Sequence, residues 1–203
     1  ISRRGMKHGN VLCQSCSVKC QILPEQEFSA SQCLNPKVCI WPGVNVFFEA
    51  GVRSLINSIS IITSSEGFVF VDFSWRNIHF FMNDEWVEYL ASTNMKVILL
   101  ADVKMAALAN YYKQNEKSVT EVLYLSEGLG ATLINFRKVF IGLPLFRRSG
   151  RALTKKERQV LYLTLKHKGV ADISTEMSLD VKSVYNIRQR IESKIGMKIR
   201  RFA

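Results

Sequence analysis

No apolar run in this 203-residue sequence approaches the roughly 20 residues that a membrane-spanning helix needs; the longest are "GFVFVDF" and "VILLA". No apolar stretch of signal-peptide length follows the basic opening "ISRRGMKHG" either. A cytoplasmic protein without a membrane partner is therefore expected. Catalytic groups are also sparse. The three histidines, His8, His79 and His167, are scattered through different segments, and there is no Ser/His/Asp set, phosphate-binding loop or paired acid–base group. Neither an enzyme nor a bound cofactor is expected.

The cysteines are few and crowded. Cys13, Cys16, Cys20, Cys33 and Cys39 all precede residue 40, spaced C-x2-C-x3-C and then two more, with no second C-x-x-C of the standard kind. Cys13, Cys16, Cys20 and Cys33 are soft ligands close enough in sequence to weigh as a zinc or iron–sulfur set. In a reducing compartment such thiols are ordinary, so no metal is expected. Thiol or metal sensing stays as an alternative reading.

Negative charge is scarce in one place only. Residues 147–203 hold 15 Lys/Arg against 5 Asp/Glu, which is +10 of the formal net charge of +11. Residues 1–146 hold 13 against 12. A basic excess confined to the last quarter of a chain points to a polyanionic partner, most simply double-stranded DNA.

The hydropathy pattern divides the chain the same way. Residues 1–36 look irregular, with Pro24 and Pro36 and no sustained period. From residue 37 to 141, β-rich runs ("KVCIW", "ISIITSS", "GFVFVDFS", "KVILLA", "EVLYLS") alternate with helical patterns. One helix is expected to turn Phe47, Val52, Leu55, Ile56 and Ile59 inward, and another Leu129, Leu133, Phe136 and Phe140. Strands alternating with helices imply parallel βαβ units, here a small doubly wound α/β domain of the flavodoxin or receiver type. Residues 142–151, with Pro144, two glycines and three arginines, read as a linker. Residues 152–203 are purely helical in pattern.

That last segment is the most informative. Thr154 and Glu157 form a T-x-x-E capping box ahead of Val160, Leu161, Leu163 and Leu165. Ile173 and Met177 lie four apart on a short helix, and Asp180 caps a third helix that Gly196 follows. In the third helix Val184, Ile187, Ile191 and Ile195 recur at helical spacing and predict a buried stripe. The other side presents Lys182, Tyr185, Asn186, Gln189 and Ser193, flanked by Arg190 and Lys194. Amides and hydroxyls on such a face suit base edges in the major groove, and cations suit phosphates.

The stretch "LTKKERQVLYLTLKHKGVADISTEMSLDVKSVYNIRQRIESKIG" resembles the four-helix LuxR/FixJ-type DNA-binding domain. Leu153, Thr154, Glu157, Val160 and Leu161 match its opening; Ile173, Met177 and Leu179 its middle; Ser183-Val184, Ile191 and Lys194-Ile195 its third helix. The resemblance implies a helix-turn-helix transcription regulator that places Tyr185, Asn186 and Gln189 against bases, within a contact set of Lys182, Ser183, Tyr185, Asn186, Gln189, Arg190, Ser193 and Lys194. Ile187 stands where the family usually has histidine, and Ser174 where it has alanine. The fourth helix, which commonly supports dimerisation, is short.

Domains of this kind often follow a receiver. Asp72, at the end of the third expected strand, stands where a receiver keeps its phosphoacceptor. The acidic pair expected after the first strand appears as Gly43 and Val44, the hydroxyl as Ala101, and the lysine as Ser126 or Glu127. The domain therefore resembles a degenerate receiver that works without phosphorylation, as in enterobacterial regulators of surface structures such as fimbriae and capsule. A homodimer, or a heterodimer with another LuxR-type regulator, is implied. The alternative is a partner-binding modulator of another regulator with weak DNA binding of its own.

Overall fold

The computed structural model describes residues 9–15, 20–22, 38–59, 66–145 and 150–199. Its first part is a six-stranded mixed sheet, consistent with a receiver-like α/β domain. The strands are β1 (Val11–Cys13), β2 (Gln21–Ile22), β3 (Val38–Trp41), β4 (Phe68–Phe73), β5 (Lys96–Ala101) and β6 (Val119–Tyr124), in the order β2-β1-β3-β4-β5-β6. Strands β3 to β6 are mutually parallel, whereas β1 pairs antiparallel with both β2 and β3. β4 lies centrally and every residue of it is buried, as a parallel strand covered on both faces requires.

Helices α1 (Val46–Asn57) and α4 (Leu129–Phe140) cover one face. Val52, Phe136, Val139 and Phe140 pack there on Ile40, Phe68, Phe70, Ile98 and Leu100. Helices α2 (Glu85–Ala91) and α3 (Ala106–Asn115) cover the other, with a 3-10 segment at Trp75–Phe81 and a 3-10 turn at Val103–Met105. Trp41, Phe73, Phe81, Trp86 and Tyr112 form an aromatic cluster on that side. Each such buried side chain contributes about 1.5–3 kcal/mol relative to exposure.

Three sequence expectations need correction. The segment 1–36 is not wholly irregular, because Val11–Cys13 and Gln21–Ile22 build the sheet's antiparallel edge. Two short strands carry too little period to be seen in sequence; the pairing of β1 with β3, and of β2 with β1, creates them. The hairpin is fitted closely. Trp41 Nε1 donates to Gly9 O (2.9 Å), and Gly43, at φ +71°, leaves no room for a Cβ, which would lie 2.8 Å from Asn10 O. Two side chains expected inside are outside: Phe47 is 86% exposed and Leu129 is 76% exposed. Phe47 stands about 140° round α1 from Val52, while its neighbour Phe48 packs on the core; Leu129 is the first residue of α4. The strand expected over 59–65 falls, apart from Ile59, outside the described residues.

The second part comprises α5 (Lys155–Leu165), α6 (Val170–Met177) and α7 (Val181–Ile195). It packs on the first part. Its buried residues Leu153, Val160, Leu161, Ile173, Val184, Ile187, Ile191 and Ile195 join the same core cluster as Trp86, Met105, Leu108 and Tyr112. Leu153 N donates to Ala107 O of α3 (3.0 Å). Arg158 Nη2 donates to Asp84 Oδ2 (2.8 Å), and its guanidinium lies 5.3 Å from the Tyr111 ring centre.

Arg158 is a charged side chain that crosses from α5 to the α/β part, and its side chain is only 18% exposed. Removing it leaves Asp84 without its partner and the Tyr111 ring uncovered. Arg158→Met should cost about 2–4 kcal/mol in urea unfolding of the full chain followed by tryptophan fluorescence. All three tryptophans, Trp41, Trp75 and Trp86, lie in the α/β part, so a loss read by them shows that the two parts unfold together.

Candidate nucleic-acid interface

The local chemistry of the helical module begins at its caps. Thr154 Oγ1 accepts from Glu157 N (3.2 Å), and Glu157 Oε2 accepts from Thr154 N (2.7 Å), completing the capping box. Gly169 and Asp172 repeat half of that arrangement at α6, with Gly169 N donating to Asp172 Oδ2 (3.1 Å). The turn between α6 and α7 is short. Ser178 adopts the left-handed conformation at φ +51°. Leu179 N donates to Ser174 O (2.9 Å) and Ser174 Oγ to Leu179 O (2.5 Å), so the serine at position 174 stitches the turn closed. Asp180 then caps α7, with Oδ1 accepting from Ser183 N (2.8 Å), and Gly196 ends it at φ +72°.

These caps fix which side of α7 is buried. Val184 and Ile191 are fully buried, Ile187 and Ile195 nearly so. Lys182, Tyr185, Asn186, Gln189, Arg190 and Ser193 are all exposed on the other side. Asn186, Gln189, Arg190 and Ser193 line one shallow open depression. α7 also touches α3 and the Val103–Met105 turn, yet neither covers this face.

Two members of the expected contact set are placed differently. Ser183 is half-buried and its hydroxyl donates to Asp180 Oδ2 (2.5 Å), so it serves the cap. Lys194 is not an outward cation: its side chain is 17% exposed, and Nζ donates to Glu157 Oε2 and to Ala152 O, at 2.7 and 2.8 Å. The helical repeat turns position 194 toward α5, where a buried carboxylate waits. Glu157 was legible in sequence only as a cap; that it also anchors α7 requires a contact across 37 residues. Arg158, which docks the module, had no sequence signal beyond its charge.

The electrostatics follow. Burial alone would raise the Glu157 carboxyl, but hydrogen bonds from Lys194 and Thr154 outweigh it and hold its pKa below the ordinary 4.5. At Asp180 the hydrogen bonds from Ser183 likewise hold the carboxyl below its ordinary value.

The receiver-like site lies at the C-terminal ends of the parallel strands. Asp72 is buried, 3% exposed, and its Oδ2 accepts from Asn45 Nδ2 (2.9 Å). The residue that reaches Asp72 from the first parallel strand's loop is therefore Asn45, rather than Gly43 or Val44. Asn45 also caps α1 through Oδ1, and Asp102 spends its carboxylate on Trp75 N and Met105 N (2.9 Å each). Among the described residues no group of three His, Cys, Asp or Glu is placed to hold a metal ion. Of the four candidate cysteine ligands, Cys13 is buried and Cys20 half-buried, while Cys16 and Cys33 lie outside the described residues. No helix among the described residues is long and apolar enough to cross a membrane.

Comparison with known proteins bears on both parts. The family model of the EcpR N-terminal domain matches residues 12–140. An uncharacterized protein, YqeH, of Escherichia coli (strain K12) is 33% identical over 193 residues, which is 95% of this chain and 92% of that protein, and so spans α5–α7 as well. A solved structure of the Salmonella typhimurium RcsB response regulator, described for its conformational dynamism for DNA interaction, aligns over 76% of this chain and 90% of its own. Its TM-score is 0.36 at 13% identity, a likeness too slight to build on.

Lys194→Met should destabilise the protein by about 3 kcal/mol, because it leaves the Glu157 charge in a nearly dry site without its cation. The pair also sets an acid limit. With the folded pKa below the unfolded one, its stabilisation is complete above about pH 4.5 and is lost as pH falls through the lower folded value. Thermal melts from pH 7 to pH 3 should show that loss, and Glu157→Gln should flatten the acid limb.

Proposed function

Because the chain belongs to the EcpR N-terminal domain family, we propose that it is a transcription regulator whose α5–α7 module is a LuxR/FixJ-type helix-turn-helix reading operator DNA through α7. The observation that carries this reading is the division of α7. Four aliphatic residues are buried, and an amide-, hydroxyl- and cation-bearing face lies open within a segment of charge +10. An α-helix of about 10–12 Å diameter fits the B-DNA major groove, about 12 Å wide.

In the proposed complex Asn186 and Gln189, three apart, pair with base edges, and Tyr185 packs beside them. Lys182 and Arg190 meet phosphates on either side, and Ser193 extends the contact along the groove. Ser183 and Lys194 act from behind, by capping α7 and by tying it to Glu157.

Regulation by amount or by partner, rather than by phosphorylation, fits the Asp72 site. Its carboxylate is buried against an amide, where phosphoryl transfer needs carboxylates that hold Mg²⁺ beside the acceptor. The proposed cellular setting is the cytoplasm, with control of surface structures such as fimbriae as the outcome. The working form is a homodimer or a heterodimer with another LuxR-type regulator, bound to paired half-sites. A second reading, a modulator that acts on another regulator, is favoured by the exposed Phe47 and Leu129 on the α/β part.

Operators selected from random DNA by the purified chain test the first reading. Asn186→Ala and Gln189→Ala should each cost about 1–3 kcal/mol on the selected site and relax preference at one base pair. Arg190→Ala should weaken all DNA evenly and lower the salt slope by about one. Asp72→Asn should change neither. Equal affinity for selected and random DNA, with all variants binding like the parent, would overturn DNA reading; specific gel-shifts obtained only after mixing with a second regulator would establish the modulator.

A further inference from the structure

Three cysteines stand side by side, two on the neighbouring strands β1 and β3 and the third just ahead of β2. Cys13 ends β1, and its N–H donates to the carbonyl of Cys20, just ahead of β2 (2.8 Å). On its other side Cys13 is the register partner of Cys39 in β3. The N–H of Cys13 turns to β2, while that of the next residue, Gln14, turns to Val38 O (2.6 Å). Cys13 and Cys39 are therefore a non-hydrogen-bonded antiparallel pair, the kind whose side chains approach most closely. Such pairs hold their Cα atoms about 4.5 Å apart, at the short end of the roughly 4.4–6.8 Å that a disulfide spans.

Directly opposed residues share a face of the sheet. All three side chains pack into the same core cluster, on the face covered by α2 and α3. Their burial is graded: Cys39 is 0% exposed, Cys13 is 6% exposed, and Cys20 is half-buried at the rim. All three carry thiols. The row runs from solvent to core, one strand spacing per step, about 4.8 Å. Opposed thiols on neighbouring strands suit thiol–disulfide exchange.

We propose that Cys13 and Cys39 are a reversible cross-strand disulfide site, loaded through Cys20 by a low-molecular-weight disulfide. The Cys20 thiolate attacks one sulfur of the small disulfide, whose S–S bond breaks, and one small thiolate departs. Cys13 attacks the Cys20 sulfur of this mixed disulfide and expels the second small thiolate. Cys39 then attacks the Cys13 sulfur, and Cys20 leaves as a thiolate. In sum, two electrons and two protons pass from Cys13 and Cys39 to the small disulfide, which ends as two thiols. The product bolts the N-terminal hairpin to β3, the strand that leads into the Asn45–Asp72 contact. Thiol–disulfide exchange runs in both directions, so a small thiol entering at Cys20 reverses the sequence.

The test uses the full chain, reduced and then equilibrated with oxidised and reduced glutathione in varied ratio. Samples are acid-quenched, alkylated and mapped by mass spectrometry. The expected result is a two-electron transition with a Cys13–Cys39 linked peptide. Cys20→Ser should slow its formation about tenfold while leaving the end point unchanged. The double variant Cys16→Ser/Cys33→Ser keeps the whole row and should form the same bond at the parent rate. Linkage through Cys16 or Cys33, a product that stops at Cys13–Cys20, or no linkage in fully oxidised glutathione would overturn the proposal. None of these readouts depends on DNA binding.

Discussion

A single buried carboxylate, that of Glu157, holds the helical module in shape. It closes the N-terminus of α5 through Thr154 and receives the Lys194 ammonium from the last turn of α7. One residue thus sets the start of the first helix and the position of the end of the third. The site is nearly dry, so the charge pair is stable only because its hydrogen bonds are made on both sides. With α7 held at that end and capped by Asp180 at the other, its rotation about its own axis is settled, and so is the face it leaves open.

The module is in turn held on the α/β part. Leu153, Arg158 and the α7 contacts place it on α3 and on the turn before α3, with one aromatic and aliphatic core running through both. This docking leaves Tyr185, Asn186 and Gln189 uncovered, so the arrangement presents the α7 face rather than hiding it. The strand-end site lies on the same part, yet it is closed by an amide–carboxylate contact between Asn45 and Asp72. A carboxylate that is buried and already hydrogen-bonded is a fixed piece of the fold. What connects the two parts here is packing, together with the Arg158–Asp84 and Leu153–Ala107 hydrogen bonds.

Much of this was legible beforehand because it is local. The T-x-x-E pair, Asp180 ahead of an apolar-periodic run and Gly196 behind it each act within four residues, so their spacing alone announced the caps that are present. The 3-4-4 recurrence of Val184, Ile187, Ile191 and Ile195 announced the buried stripe for the same reason. The illegible features are contacts across long separations. The hairpin of Val11–Cys13 and Gln21–Ile22 exists as strands only because β3 offers an edge. Phe47 and Leu129 belong to their helices' apolar runs, but Phe47 is turned away from the side that Phe48 and Val52 bury, and Leu129 opens its helix. Lys194 looked like any cation on a basic helix until its angle placed it over Glu157.

The sequence alone determined the four parallel strands β3 to β6 and the helices α1 to α7, the capped ends of α5 and α7, the apolar stripe of α7 and the concentration of basic charge in the last quarter, since propensity, periodicity and composition act over a few residues or need no geometry at all. Only the tertiary structure decided that β1 and β2 complete the sheet, that Cys20, Cys13 and Cys39 stand in one row, that Asn45 meets Asp72, and that Lys194 turns inward. Each of those outcomes brings together groups far apart in the chain. Register and packing choose such partners, and one residue's slip or a rotated helix would have chosen others.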